Sequence, residues 1–199
     1  QSFGRPGGNA TGVSILAEEL DDKRLEILQK LAPSTGPVGV LLNSQNPTAP
    51  VQRVSATSAA TALGRPIVLV EAANEAEIDA AFERLVAQGA TGLAVASDPY
   101  FTSQRARIVA LATRHRLPAI YQWRQFVEDG GLASYGPSFN EAYRESGVMA
   151  GRILRGERAA DLPVQQPSRF ELVISQRVAR TLGLVVPPIL LAGADEVID

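Results

Sequence analysis

The chain alternates short apolar runs with helix-length segments, and this alternation restricts its fold more than any other feature. The apolar runs lie at Val38–Asn43, Pro66–Glu71, Gly92–Ser97 and Pro118–Tyr121. Strands that alternate with helices predict a parallel sheet with helices on both faces, a doubly wound α/β fold. In such a sheet ligands bind at the carboxyl ends of the strands, so the sequence predicts where a site lies.

Helical periodicity and end signals fill the spaces between these strands. Asn46 and Pro47 are typical of an N-cap followed by the first helical residue, and Asn74 with Glu77 is typical of a capping box. A strand or a crossing segment is predicted at Leu132–Tyr135, and Asn9–Ile15 is compatible with a short strand. The other predicted elements include a helix that Thr102 or Ser103 caps and that reaches about Arg116. They also include helices at Glu18–Leu31, Asn46–Leu63, Trp123–Glu128, Glu141–Leu154 and Gln176–Leu182 and a strand at Phe170–Ile174.

Composition excludes several kinds of chemistry. The 199 residues include no cysteine, one histidine (His115) and only two lysines, Lys23 and Lys30. Disulfides, thiol catalysis, cysteine or histidine metal sites and a P-loop or Schiff-base lysine are therefore not expected. The net charge of −2 gives no reason to expect a nucleic acid partner. We predict no catalytic residue, no metal and no cofactor.

The candidate binding site follows from the strand order. A doubly wound sheet ordered 2-1-3-4 has its crevice between the ends of the first and third strands. A helix beginning at Asn46 would direct free N–H groups into that crevice, which suits a carboxylate, and Asp98 could receive an ammonium group. The alternative is that these residues only form caps and turns. The polar residues predicted at the two strand ends are Asn43, Ser44, Asn46, Ser97 and Asp98.

Aromatic residues supply the other candidates. Tyr121 and Trp123 end the fourth strand, where they could stack on a flat or apolar ligand, or pack in the core. Tyr135 precedes Gly136, and either a role at the cleft or hinge or plain packing is open for it. Together these groups describe an amino acid as the ligand, with aromatic amino acids included.

Several segments resemble one protein family. They occur in a characteristic order and spacing along nearly the whole chain: Arg5–Ser14, Lys23–Glu26, Val40–Asn43, Leu117–Tyr121, Gly130–Gly136, Phe170–Ile174, Leu182–Pro187 and Ala194–Ile198. In this order they are similar to the bacterial ABC transporter substrate-binding proteins related to tryptophan and tyrosine uptake.

The resemblance implies a type I periplasmic-binding-protein fold with two α/β lobes and the ligand between them. It implies a lobe-crossing segment at residues 1–17, a ligand-binding lobe at 18–130 and returning segments at 131–199, with incomplete segments of the second lobe. Most of the first lobe would then be missing. It further implies a periplasmic receptor without catalysis that delivers a small ligand to an ABC transporter membrane permease, with a signal peptide outside this chain.

Two other functions compete with this one. Transcription regulators use a related bilobal fold as an effector-binding domain, and a basic helix-turn-helix before residue 1 would favour them. An enzyme of flavodoxin or phosphatase type is the other, but a phosphoacceptor domain needs an acidic pair where this chain has Asn43 and Ser44. We also expect the chain to self-associate through strand edges or through Gly131–Tyr135 and Phe170–Ile174.

Overall fold

The computed structural model describes residues 2–15, 20–166 and 169–199. The chain forms two compact units, of which the first comprises Gln1–Leu16 and Pro137–Phe170 and the second Ala17–Gly136 and Glu171–Asp199. The boundary expected after residue 17 lies outside the described residues. The other expected boundary, after residue 130, differs from the change of unit after Gly136.

The second unit is built on one seven-stranded sheet. Its order is β2-β1-β3-β4-β5-β6-β7, so the predicted order 2-1-3-4 is confirmed for the first four strands. The pairs that define the crevice, β1 with β2 and β1 with β3, are parallel. The strands are β1 Val38–Leu42, β2 Ile67–Glu71, β3 Leu93–Val95, β4 Ala119–Tyr121, β5 Ala133–Pro137, β6 Phe170–Ser175 and β7 Glu196–Ile198.

Helices cover this sheet by burying their apolar faces. Leu25, Leu28 and Leu31 of α1 share a face, as predicted, and all three are buried. α1 packs beside α2, and α3 packs beside α5. Among the described residues, none of the helices combines the length and the apolar character needed to cross a bilayer. The helices of this unit are α1 Asp21–Leu31, α2 Ala49–Ala62, α3 Glu75–Ala87, α4 Pro99–Ser103, α5 Arg105–Arg114, α6 Arg124–Glu128, α8 Gln176–Thr181 and α9 Pro188–Gly193, and the first unit contains α7 Phe139–Leu154.

Two predicted elements differ in the structure, and the beginning of a third lies outside the described residues. The helix expected over Thr102–Arg116 is divided into α4 and α5 at Gln104, whose φ and ψ of −96° and 13° leave the helical region. The strand expected within Asn9–Ile15 is wrong, because the pairing there is a single bridge from Val13 to Gln165. The first residues of the helix expected from Glu18 lie outside the described residues.

The segments Gly131–Tyr135 and Phe170–Ile174 do not lie free to associate with another copy. They form most of β5 and β6, which are neighbours inside the sheet. Their backbone groups are therefore used within the unit. The exposed edges of this sheet are β2 and β7.

A buried arginine, Arg24, links residues near the two ends of the Ala17–Gly136 part of the second unit. The side chain of Arg24 is 1% exposed; its Nη1 donates to Asp21 Oδ1 at 2.7 Å, and its Nε donates to the carbonyl oxygen of Tyr135 at 2.8 Å. Burial lowers the pKa of Arg24, and the neighbouring Asp21 carboxylate acts in the opposite direction. Gly136 follows directly, and a Cβ at this position would overlap the carbonyl oxygen of Gln122.

The first unit joins the start of the chain to a later segment. Thr11 Oγ1 donates to the carbonyl oxygen of Leu162 at 2.8 Å, and the N–H of Val164 donates to the carbonyl oxygen of Phe3 at 2.8 Å. α7 begins at Phe139, after the N-cap Ser138, and belongs to this unit. A short 3-10 helix, Ala159–Asp161, follows α7.

Candidate functional site

The polar residues predicted at the ends of β1 and β3 meet around one carboxylate. Oδ2 of Asp98 accepts from Nδ2 of Asn43 at 3.0 Å and from Nδ2 of Asn46 at 2.8 Å. Oδ1 of Asp98 accepts from the N–H of Phe101 at 3.0 Å, which caps α4. Only 5% of Asp98 is exposed. The two strand ends are therefore joined across the predicted crevice by a side chain that is held from three directions.

The two serines of the predicted set occupy the margin of this cluster. Ser44 follows Asn43 and is exposed. Ser97 is half-buried, and its carbonyl oxygen lies 3.5 Å from Nδ2 of Asn46. The structure thus brings Asn43, Asn46, Ser97 and Asp98 into one hydrogen-bonded group, with Ser44 beside it.

Gln52 belongs to this group, although sequence reasoning did not select it. Its side chain on α2 is fully buried, and its Nε2 donates to the carbonyl oxygen of Ser97 at 2.8 Å. Its Oε1 has no hydrogen-bond partner among the described residues. A glutamine one turn inside an otherwise alanine-rich helix was the available signal, but it is also typical of a solvent-facing position.

The prediction that α2 offers free N–H groups is wrong. The helix begins at Ala49, not at Asn46, and Pro50 occupies its first turn without an N–H. Asn46 instead forms a turn in which its Oδ1 accepts from the N–H of Thr48 at 2.9 Å. The N–H of Ala49 donates to the carbonyl oxygen of Asn46, and that of Val51 donates to the carbonyl oxygen of Thr48. The N–H groups named here are already used within the turn, so they cannot hold a carboxylate.

The cluster can still accept one more hydrogen bond. An ionised carboxylate offers about four acceptor positions, and three of those on Asp98 are occupied. The fourth position, on Oδ1, has no donor among the described residues. Because both oxygens are fixed by amide groups, a donor arriving there would meet a charge that does not need to reorient.

The predicted aromatic residues are placed differently from one another. Tyr121 is 1% exposed, and its ring stacks on that of Phe126 with centroids 4.6 Å apart. Burial raises the pKa of its hydroxyl above the usual range. Trp123 is buried at the N-cap of α6, whereas Tyr135 is half-buried within β5. Of the three, Tyr135 has the most surface available to a ligand.

Comparison with known proteins identifies the family. Residues 1–198 match the family described as ABC transporter substrate binding protein. The chain belongs to this family. A tyrosine-binding protein from Clostridioides difficile is 25% identical over 184 residues, which cover 92% of this chain and 52% of that protein. This substrate-binding protein thus spans about half the length of its curated relative.

Solved structures agree with that membership. The ABC domain from Streptococcus pneumoniae in complex with L-Trp is 26% identical with a TM-score of 0.85, over 100% of this chain and 68% of that one. A conserved domain protein from Vibrio cholerae, 23% identical with a TM-score of 0.87, covers 98% and 65% of the two chains and shows the fold alone. A LacI family transcriptional regulator from Bifidobacterium animalis is more distant, at 12% identity and a TM-score of 0.60 over 78% of this chain and 59% of that one. The distant likeness does not favour the effector domain of a regulator over this substrate-binding family.

Proposed function

We propose that this chain supplies one wall of the ligand cleft in a receptor that binds an amino acid for an ABC importer, aromatic amino acids included. The observation that carries the proposal is the fixed carboxylate of Asp98 at the β1–β3 crevice. Ligands of open α/β sheets bind at this point of the strand order. The names of two relatives, one a tyrosine-binding protein and one in complex with L-Trp, support the ligand class.

The roles of the side chains follow from what each still has available. Asp98 Oδ1 accepts from the ammonium group of the ligand. Ser44, which is exposed, donates its hydroxyl to the ligand carboxylate in place of the N–H groups of α2. Tyr135 contacts the apolar body, and Trp123 lines the same end of the sheet. Tyr121 supports the fourth strand from within the core through its stack on Phe126.

The ligand leaves unchanged in this proposal. The residues at the crevice are amides, hydroxyls and one carboxylate, and a nucleophile needs an adjacent base to react. The receptor acts outside the cytoplasmic membrane and passes its ligand to a membrane permease. Incubation with L-tryptophan or L-tyrosine followed by mass spectrometry should return the amino acid intact; a converted product that Asp98→Ala abolishes would contradict the receptor function.

The ammonium assignment is tested best by changing the ligand, because Asp98 also holds the fold together. Calorimetry on the natural protein that carries this chain compares L-tryptophan with indole-3-propionate, which lacks the amino group. A hydrogen bond to a charged group contributes about 1.5–3 kcal/mol, so the deaminated ligand should bind roughly tenfold to a hundredfold more weakly. Equal affinities would refute the role of Asp98.

A matched pair of variants tests the carboxylate end. Ser44→Ala should weaken L-tryptophan binding by about threefold to tenfold, less than the loss of the ammonium contact, because Ser44 is exposed and water can replace its hydroxyl. Gln45→Ala is the control, because Gln45 is the exposed neighbour and its side chain has no assigned role. An equal effect of both variants would contradict the assignment of Ser44.

Self-association of this chain is a separate proposal, which rests on the strand edges. β7 ends the sheet with Glu196 and Val197 exposed, and an exposed edge strand is a template for pairing with another chain. We expect light scattering to show a concentration-dependent dimer. Val197→Pro should abolish this dimer, because proline removes an N–H from the edge. A monomer at all concentrations would refute the proposal.

A further inference from the structure

The crossover from β4 to β5 contains only a short helix, α6. α2 and α3, which follow β1 and β2, contain 14 and 13 residues, whereas α6 contains five. At 1.5 Å per residue, α6 spans only about 8 Å, compared with about 15 Å for α5. A groove of about 1040 Å³ lies here, and its lining residues come from α5, α8, β4 and the turn before β5.

The groove has an apolar floor and a basic rim. Arg105, Arg114, Arg116 and Arg177 line it together with one acidic residue, Asp129. The floor is formed by apolar side chains that are buried or half-buried: Val109, Ala119, Tyr121, Leu132, Val178 and Leu182.

Two of the rim arginines have no side-chain partner among the described residues. Nε of Arg105 lies 2.9 Å from Asp129 Oδ2. The pKa of Asp79 is lowered mainly by its hydrogen bond from Arg107, and the charge of Arg114 acts in the same direction. By contrast, the exposed side chains of Arg116 and Arg177 form no ion pair or hydrogen bond with any residue in the described ranges. The chain as a whole has a net charge of −2, whereas the lining of this groove carries more positive than negative side chains.

Arg116 also has an unfavourable backbone. Its φ is +52°, and it is the one described residue other than glycine with a positive φ. The corresponding positions after α2, α3, α6, α7 and α8 are all glycines with positive φ, at Gly64, Gly89, Gly130, Gly156 and Gly183. Glycine adopts this conformation without strain, whereas other residues are penalised. An arginine is present where the fold favours glycine, at the rim of the groove.

We propose that this groove binds an acidic amphipathic helix of a protein partner. The groove runs beside α5 where a doubly wound fold usually has a further helix, so its shape suits an apolar helix face. Arg116 and Arg177 pair with acidic side chains that flank that face. A second copy of this chain is disfavoured as the occupant, because a symmetric contact would bring the arginines of one rim against those of the other. The inference is independent of solute binding at the β1–β3 crevice.

The probe is a fluorescein-labelled 14-residue helical peptide with leucines at helical spacing and glutamates elsewhere, measured by fluorescence anisotropy. Its matched control has lysine in place of every glutamate. The acidic peptide should bind and weaken as salt rises, because exposed charge pairs are screened. Arg177→Gln should raise its Kd by about twofold to fivefold, the range of an exposed ion pair.

Arg116→Gly separates function from folding, because it should weaken peptide binding while it stabilises the fold. It should raise the Kd of the acidic peptide by a similar factor, and it should raise the Tm by about 2–8 °C through relief of the left-handed backbone. Ala110→Trp fills the groove from an exposed position of α5 and should weaken the peptide at least about tenfold, since the bulky ring excludes the apolar face. Arg155→Gln, an exposed arginine outside the lining, should leave the Kd unchanged.

Four results would overturn the proposal. The first three are no binding of the acidic peptide, equal binding of the lysine peptide, and peptide binding that Ala110→Trp does not affect. The fourth is a different occupant of the groove. This would be a fatty acid, shown by sodium dodecanoate that binds one-to-one where the peptide does not, or a second copy of the chain, shown by a dimer in light scattering that Ala110→Trp abolishes.

Discussion

Replacing Arg24 by methionine should destabilise the second unit strongly. Methionine fills a similar volume, but it leaves the buried Asp21 carboxylate without its 2.7 Å ion pair and the carbonyl oxygen of Tyr135 without its 2.8 Å donor. Removing one partner of a buried pair typically costs about 3–5 kcal/mol. For a chain of this length that corresponds to a Tm lowered by about 6–20 °C.

The measurement is urea and thermal unfolding followed by the fluorescence of Trp123, which is the single tryptophan of the chain and lies in the same unit as Arg24. Lys23→Met is the matched control, because Lys23 pairs with Glu26 at the surface. Adding Asp21→Asn to Arg24→Met should recover part of the loss, since an amide is less costly to bury than a carboxylate that has lost its ion pair. A loss below about 1 kcal/mol, or no recovery in the double variant, would refute this reasoning, because a cost that small is typical of an exposed pair.

Two further predictions concern a crowded glycine and a surface carboxylate. Gly136→Ala should lower the free energy of unfolding by about 2 kcal/mol or more, because its Cβ overlaps the carbonyl oxygen of Gln122. Gly147→Ala, which adds a Cβ in open space on α7, should raise the free energy of unfolding by about 0.5–1 kcal/mol. If urea unfolding ranked the two variants in the opposite order, the contact at Gly136 would be contradicted. The hydrogen bond from Arg107 lowers the pKa of Asp79. This hydrogen bond therefore stabilises the folded chain fully above the ordinary carboxyl pKa, and its contribution is lost as the pH falls through the lowered pKa of Asp79. Arg107→Gln should raise the Asp79 pKa in a carboxyl NMR titration, and an unchanged titration would exclude that cause.

The part of the fold that the sequence predicts well is the part fixed by local pattern. The apolar runs at β1 and β2 and the switch between β1 and β3 are set by burial and short connections, and these give the strand order. Asn74 caps α3 as expected, and its Oδ1 accepts from the N–H of Glu77 at 3.0 Å. Such features depend on neighbours within a few residues, so a single sequence contains them.

The rest depends on partners distant in the chain. Arg24 sits beside Lys23 in a pattern typical of an exposed helix face, and its burial depends on Tyr135, more than a hundred residues later. The predicted cap at Asn46 was wrong because the amide group of Asn46 donates to Asp98, the N-cap of α4, while its Oδ1 accepts from the N–H of Thr48. Polar side chains can satisfy local or distant partners equally well, and the sequence alone does not show which they choose.

The sheet of the second unit is interrupted in the chain, and this affects the order of folding during synthesis. β5 emerges from the ribosome before the excursion Pro137–Phe170, and its neighbour β6 follows only afterwards. Closing a loop of roughly 34 residues costs about 3 kcal/mol of chain entropy, which β6 must recover on pairing. Until then β5 is a temporary edge of the sheet, open to pairing with other nascent chains. We therefore expect the risk of misassembly at this edge to be greatest late in translation, between the synthesis of β5 and that of β6.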